Sequence, residues 1–144
     1  MEKIFYYNTE VEWKNGRIGL LKETDFPEIE VATPPDFPGG VENIWSPEHL
    51  FVAAVNVCLM TTFLAIAEHS KLEFKNFSSK ATGKLEKVDG KFMISEIILK
   101  PTVVINNERD THKAERIILK SEDACLISHS IKTKVILEPE IKVS

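Results

Sequence analysis

Cysteine is scarce in this chain: its 144 residues include two, Cys58 and Cys125. Neither belongs to a Cys-x-x-Cys pair or to a His/Cys spacing of zinc-site type, so nothing favours a metal centre and no cofactor is expected. Basic clusters are absent as well. The formal net charge is −4 and the lysines are spread along the chain, which leaves no electrostatic footprint for nucleic acid and no polybasic membrane anchor. Residues 1–10 carry no apolar core or small-residue cleavage site, so no secretory leader and a cytoplasmic location are expected. The longest apolar run, Leu50 to Ala67, is broken by Asn56, Thr61 and Thr62 and has acids at both ends. It reads as a buried helix, not a membrane span. Repeats, low-complexity tracts and linkers are also missing, and the length suits one domain spanning residues 1–144.

What is present alternates between strand and helix signals. Tyr7, Thr9, Val11 and Trp13 alternate with polar residues as in a half-buried strand. Asn15-Gly16 is a hairpin signal, with a second strand expected from Arg17 to Lys22 and a third from Glu28 to Thr33. Thr33 to Trp45, with Pro34, Pro35, Pro38, Gly39 and Gly40, must be a loop, long enough for a functional role. Ser46-Pro47-Glu48 is a helix start, with Ser as N-cap and Pro at the first helical position. That helix is expected to run to about His69 or Ser70. Phe51, Ala54, Val55, Cys58, Thr62, Ala65, Ile66 and His69 share one face, and the other faces are apolar too, so a central helix covered on most sides is expected. Two long strands, Phe74–Val88 and Lys91–Ile105, meet at Asp89-Gly90. A helix over Glu108–Glu122 carries Ala114, Ile117, Ile118 and Ser121 on one side. A short helix over Cys125–Ile131 and a strand over Thr133–Leu137 complete the order βββ-α-ββ-α-β. The fold class is α+β, an antiparallel sheet packed on a long central helix.

Two cysteines distant in sequence are the minimum equipment for peroxide chemistry, one thiolate attacking oxygen and the other resolving the sulfenic acid as a disulfide. Packing as small hydrophobes is the alternative. In a reducing compartment a disulfide between them would be transient, catalytic or sensory. A peroxidatic thiol needs a lowered pKa, and an arginine supplies a cation that stays charged. There are three arginines, Arg17, Arg109 and Arg116. The latter two lie in or beside a charge-rich amphipathic helix, which leaves Arg17 as the candidate. Of the histidines, His49, His69 and His112 carry no such signal, and His129 stands near Cys125 as a candidate base.

Ser46-Pro47-Glu48-His49-Leu50, followed ten residues after the acid by Cys58, resembles the OsmC/Ohr family, the osmotically inducible protein C and organic hydroperoxide resistance proteins. Arg17 upstream, in Trp13-Lys14-Asn15-Gly16-Arg17-Ile18-Gly19, and Ala124-Cys125-Leu126-Ile127-Ser128 downstream extend the resemblance over essentially the whole chain. It implies an OsmC-like fold in an intertwined homodimer with active sites at the subunit interface. It also implies a thiol peroxidase that reduces organic hydroperoxides and is regenerated by an external, lipoyl-type dithiol. Cys58 is then similar to the peroxidatic cysteine and Cys125 to the resolving one. Arg17 takes the place of the residue activating the thiolate, and Glu48 that of its carboxylate partner. Family members often have Pro directly after the second cysteine, where this chain has Leu126, which leaves Cys125 less rigidly set.

Helix geometry adds a constraint. Glu48 and Cys58 are ten residues apart on one helix, about 15 Å at 1.5 Å per residue, and rotated onto different faces. Either Arg17 bridges that gap or the Arg17–Glu48 pair comes from a partner subunit, the arrangement favoured here. Phe37, Trp45 and Phe51 are candidates to line an apolar channel for an alkyl chain. Two other readings of the same residues stay open: a redox sensor or stress-associated binding protein on the same fold, and a structural dimer with inert cysteines.

Overall fold

A computed structural model describes residues 2–144. The chain forms two compact units, one up to Leu50 and one from Phe51 to Ser144. In the first, strands β1 (Glu10–Asn15), β2 (Ile18–Lys22) and β3 (Ile29–Ala32) make an antiparallel three-stranded sheet in sequential order. The β1–β2 turn falls at Gly16-Arg17, with Gly16 at φ 52°, and Trp13 Nε1 donates to the Gly16 carbonyl at 3.0 Å. The ladder shifts between Trp13 and Asn15, so the turn sits one residue later than the Asn-Gly dipeptide predicts. β1 is not half-buried: all six of its residues are exposed, Val11 by 67% and Trp13 by 75%. The loop after β3 is held by its own backbone, with Val41 N–H donating to Thr33 O and Ala32 N–H to Trp45 O, both at 2.9 Å.

Helix α1 (Pro47–His69) starts as the sequence dictates. Ser46 is buried and its hydroxyl accepts from the His49 backbone N–H at 3.1 Å, while His49 Nδ1 accepts from the Ser46 N–H at 3.3 Å. That is a capping box in which an imidazole takes the place of the usual Glu or Gln.

In the second unit, β4 (Asn76–Val88) and β5 (Lys91–Ile105) form a long antiparallel hairpin closed at Asp89 (φ 51°) and Gly90 (φ 81°). A 3-10 turn over Glu108–Asp110 leads into α2 (Thr111–Asp123), followed by the four-residue α3 (Leu126–His129). Strands β6 (Lys134–Leu137) and β7 (Glu140–Val143) then both pair with β5 in parallel. The sheet is therefore mixed, not wholly antiparallel, and β7 is a strand absent from the sequence expectation. Pro101 sits where β5 changes partner, between the β6 register ending at Leu99 and the β7 register starting at Thr102. A residue without an N–H is tolerated there because no ladder bond is lost.

The core of this unit joins Val55, Leu59, Phe63 and Ala67 of α1 to Ile97, Leu99, Val103 and Ile105 of β5 and to Ala114, Ile117 and Ile118 of α2. Phe63 stacks on Phe77 at 4.8 Å and meets Phe74 edge-on at 5.2 Å. Among the described residues α1 alone has the length and hydropathy to cross a membrane, yet this face is spent on the sheet. The buried face centres on Leu59 and Phe63, with Cys58 at its edge, rather than on Ala54 and Ala65, which are exposed. Nor is α1 covered on most sides, since Val57, Met60 and Leu64 are 52%, 37% and 41% exposed.

Gly83 in β4 lets α1 approach the sheet: a Cβ there would stand 2.5 Å from Val52 Cγ2. Valine is stiff in a helix and cannot turn aside. Gly83→Ala is expected to cost about 1–3 kcal/mol by overpacking, read as a lowered urea midpoint with an unchanged slope. An unchanged midpoint would show that α1 has room to move.

Candidate active site

Cys58 lies on α1 and Cys125 at the residue preceding α3, where its extended backbone (φ −68°, ψ 112°) makes it the N-cap. No disulfide joins them; both are free thiols, Cys58 9% exposed and Cys125 fully buried. The Thr62 hydroxyl, one helical turn beyond Cys58, lies 3.9 Å from its sulfur. Burial pushes the Cys58 thiol up. Hydrogen bonds from the Cys125 thiol, the Ile127 N–H, the Thr62 hydroxyl and the Leu126 N–H more than offset it and leave the Cys58 pKa below the ordinary cysteine value. Cys125 moves the other way: burial raises its pKa, its bond to Cys58 raises it further, and the Ser128 hydroxyl and N–H oppose this only in part. The pair is therefore asymmetric: the Cys58 pKa is lowered and the Cys125 pKa raised, with the Cys125 thiol as donor to Cys58. A thiol that ionises more readily at the less buried position, beside one that holds its proton, suits nucleophilic attack followed by disulfide closure.

Leu126 and Ile127 open α3, so their N–H groups have no partner inside that helix and are free to point at a sulfur. A proline in place of Leu126 would lack the N–H, so leucine supplies the Cys58 sulfur with a donor.

Arg17 and Glu48 do not pair with each other in this chain. Among the described residues Arg17 makes no ion pair, and Glu48 Oε1 is buried without a hydrogen-bond partner. The Arg17 guanidinium instead lies over Gly39 (φ 80°), where a Cβ would come within 2.7 Å of its Cζ. It borders an open groove of about 330 Å³ lined by Val11, Leu21, Val31, Pro47 and Leu50. None of the three aromatic residues expected to line a channel borders that groove. Trp45 faces a separate depression of about 630 Å³ with Pro35 and His49, and Phe51 packs against the core of the second unit. His129 is not the group facing Cys125, because its Nε2 donates to the Asp123 carbonyl at 2.6 Å.

The sequence reading missed Ser128 and Glu122 near Cys125, and the roles of Thr62 and of the α3 amides at Cys58. Thr62 was visible as the i+4 neighbour of Cys58 on the same helix. The amides were not, because backbone donors leave no mark on residue type. Among the described residues no group of three or more His, Cys, Asp or Glu side chains is placed to hold a metal ion.

The family model for OsmC-like proteins matches residues 40–140, a range containing Glu48, Cys58 and Cys125 but not Arg17. The uncharacterised protein YmaD of Bacillus subtilis is 26% identical over 144 residues, covering 96% of this chain and 94% of its own. The OsmC-like protein of unknown function VCA0330 from Vibrio cholerae superposes with a TM-score of 0.86 at 25% identity, over 94% of this chain and 99% of that one. An organic hydroperoxide resistance protein OsmC from Legionella pneumophila superposes with a TM-score of 0.73 at 22% identity, over 97% of this chain and 100% of that one. The last likeness is one of fold.

Because Cys58 titrates below an ordinary thiol, its alkylation should stay fast to lower pH and fall off only as pH drops through the lowered pKa. Cys125→Ala removes the largest favourable donor and should move that fall-off upward. Leu126→Pro removes one N–H at a helix position that accepts proline and should move it upward by less. The pH dependence of iodoacetamide reaction at Cys58 checks this order. Identical profiles in all three proteins would mean the α3 side does not set the thiolate.

Proposed function

The chain belongs to the OsmC-like protein family, and from that membership we propose that it is a thiol-dependent peroxidase that reduces organic hydroperoxides through Cys58 and Cys125. The asymmetric ionisation of the two thiols carries this reading. The Cys58 thiolate attacks the distal oxygen of the hydroperoxide, the O–O bond breaks, and the alkoxide leaves and is protonated to the alcohol. Cys58 is left as a sulfenic acid. Cys125 attacks that sulfur, the S–O bond breaks, and a Cys58–Cys125 disulfide and water form. An external dithiol, of lipoyl type, returns both thiols by two exchange steps.

Arg17 is the cation assigned to the departing alkoxide, where a preorganised charge has most effect. The apolar groove at its side suits an alkyl tail better than hydrogen peroxide. Glu48, with a buried carboxylate oxygen lacking a donor, is the acceptor that would hold an arginine. The function reading includes a homodimer with the site at its interface. Exposed Phe5, Tyr6, Tyr7, Val11 and Trp13 on the first unit and Val57, Met60 and Leu64 on α1 support it, because apolar surface of this extent usually has a partner.

Turnover tests the function. With a dithiol supplied, the protein should consume alkyl hydroperoxide in many-fold excess over protein, and Cys58→Ser should abolish this. Consumption that stops at one peroxide per chain would instead indicate a sensor. A mixture of Cys58→Ser and Glu48→Ala chains tests the interface. Partial recovery of activity is expected, and none at all would count against a shared site.

A further inference from the structure

We infer that Ser128 and Glu122 form a proton relay that accepts the Cys125 proton as Cys125 attacks oxidised Cys58, an inference that rests on the peroxidase reading above. The step needs such a group. Cys125 is fully buried and serves as a donor to Cys58, so it must shed a proton before its sulfur can attack, and bulk water does not reach it.

The chain places two polar groups for this purpose. Ser128 stands one turn into α3 from Cys125 and acts on its thiol through both hydroxyl and N–H. Glu122 stands three residues before Cys125, in the last turn of α2, and its carbonyl accepts the Cys125 N–H at 3.1 Å. The Ser128 hydroxyl also acts on the Glu122 carboxylate. Ser128 Oγ and Glu122 Oε1 are both buried, and neither has a close hydrogen-bond partner in this state. Two such orphans beside a reactive thiol need an explanation. Hydrogen bonds that tighten only during reaction supply one.

Glu122 and Ser128 also border an open groove of about 420 Å³ whose other walls include Leu119, Thr133, Val135 and Leu137, giving the proton a way out. The charged groups facing Glu122 are Asp123 and His129, both on that groove. Burial raises the Glu122 pKa, Ser128 and His129 lower it less, and Asp123 adds to the rise. The net upward shift makes its carboxylate a stronger base than a surface glutamate.

In the step itself the Cys125–Cys58 S–S bond forms and the sulfenic S–O bond breaks. The Cys125 sulfur is oxidised and the Cys58 sulfur reduced. The Cys125 proton passes to Ser128 Oγ while the Ser128 proton passes to Glu122. The departing hydroxide takes a proton from solvent to become water, and Glu122 returns the Cys125 proton to solvent through the groove, so protons balance.

The test separates the two oxidation steps by rapid quench of the reduced full chain with tert-butyl hydroperoxide. Sulfenic acid is trapped with dimedone and disulfide is counted by mass spectrometry. Glu122→Gln and Ser128→Ala should still form the Cys58 sulfenic acid but close the disulfide about 100-fold more slowly, the typical worth of a positioned proton acceptor. In the parent, closure should slow as pH falls through the raised Glu122 pKa, because a protonated carboxyl accepts nothing, and Glu122→Gln should lose that inflection. A merely structural role for Glu122 would not move the inflection. Equal closure rates and pH profiles, with Cys58 still oxidised, would overturn the relay and leave the peroxidase reading standing. Failure of the parent itself to form sulfenic acid would overturn both.

Discussion

The arrangement of the second unit depends on one packing constraint: α1 has a single face that must be buried against β5. Val55, Leu59, Phe63 and Ala67 fill that face completely. Val55, Leu59 and Phe63, each fully buried, contribute roughly 1.5–3 kcal/mol apiece, so neither the rotation of the helix nor its height on the sheet is free to vary. Cys58 precedes Leu59, which puts its sulfur at the rim of the buried face, shielded but reachable. Thr62 follows one turn later, and α3 meets the sulfur from the other side.

Desolvation at that rim works against a thiolate, and it is the largest single influence on Cys58. Four modest hydrogen bonds together outweigh it. Two come from backbone amides at the start of a helix too short to use them, and one comes from the very thiol that would later form the disulfide. In the proposed reaction the donor role of Cys125 would set the order of the steps: Cys125 keeps its proton while it donates to Cys58, and is released to ionise once Cys58 has been oxidised.

Much of this was legible in the sequence where local chemistry alone decides the outcome. Ser46-Pro47 set the start of α1, Asp89-Gly90 closed the long hairpin, and Ala114, Ile117, Ile118 and Ser121 marked the buried side of α2. Local pattern failed where long-range pairing decides. Nothing in Lys134–Leu137 announces that it runs parallel to β5, and Glu140–Val143 has too few apolar residues to mark a strand that borrows its ladder from a neighbour. The alternation in β1 did signal an apolar face, but within this chain Val11 and Trp13 have nothing to cover them. Arg17 and Glu48 were identified by resemblance, and their separation in the single chain follows from Arg17 settling over Gly39.

The central claim is that Cys58 and Cys125 are a thiolate and a thiol poised to become one disulfide. The most direct measurement is peptide mass spectrometry of reduced protein treated with a sub-stoichiometric amount of alkyl hydroperoxide. The account predicts a Cys58–Cys125 linkage within single chains, in proportion to the peroxide added. Cys58 recovered unmodified, with no such linkage, would contradict it.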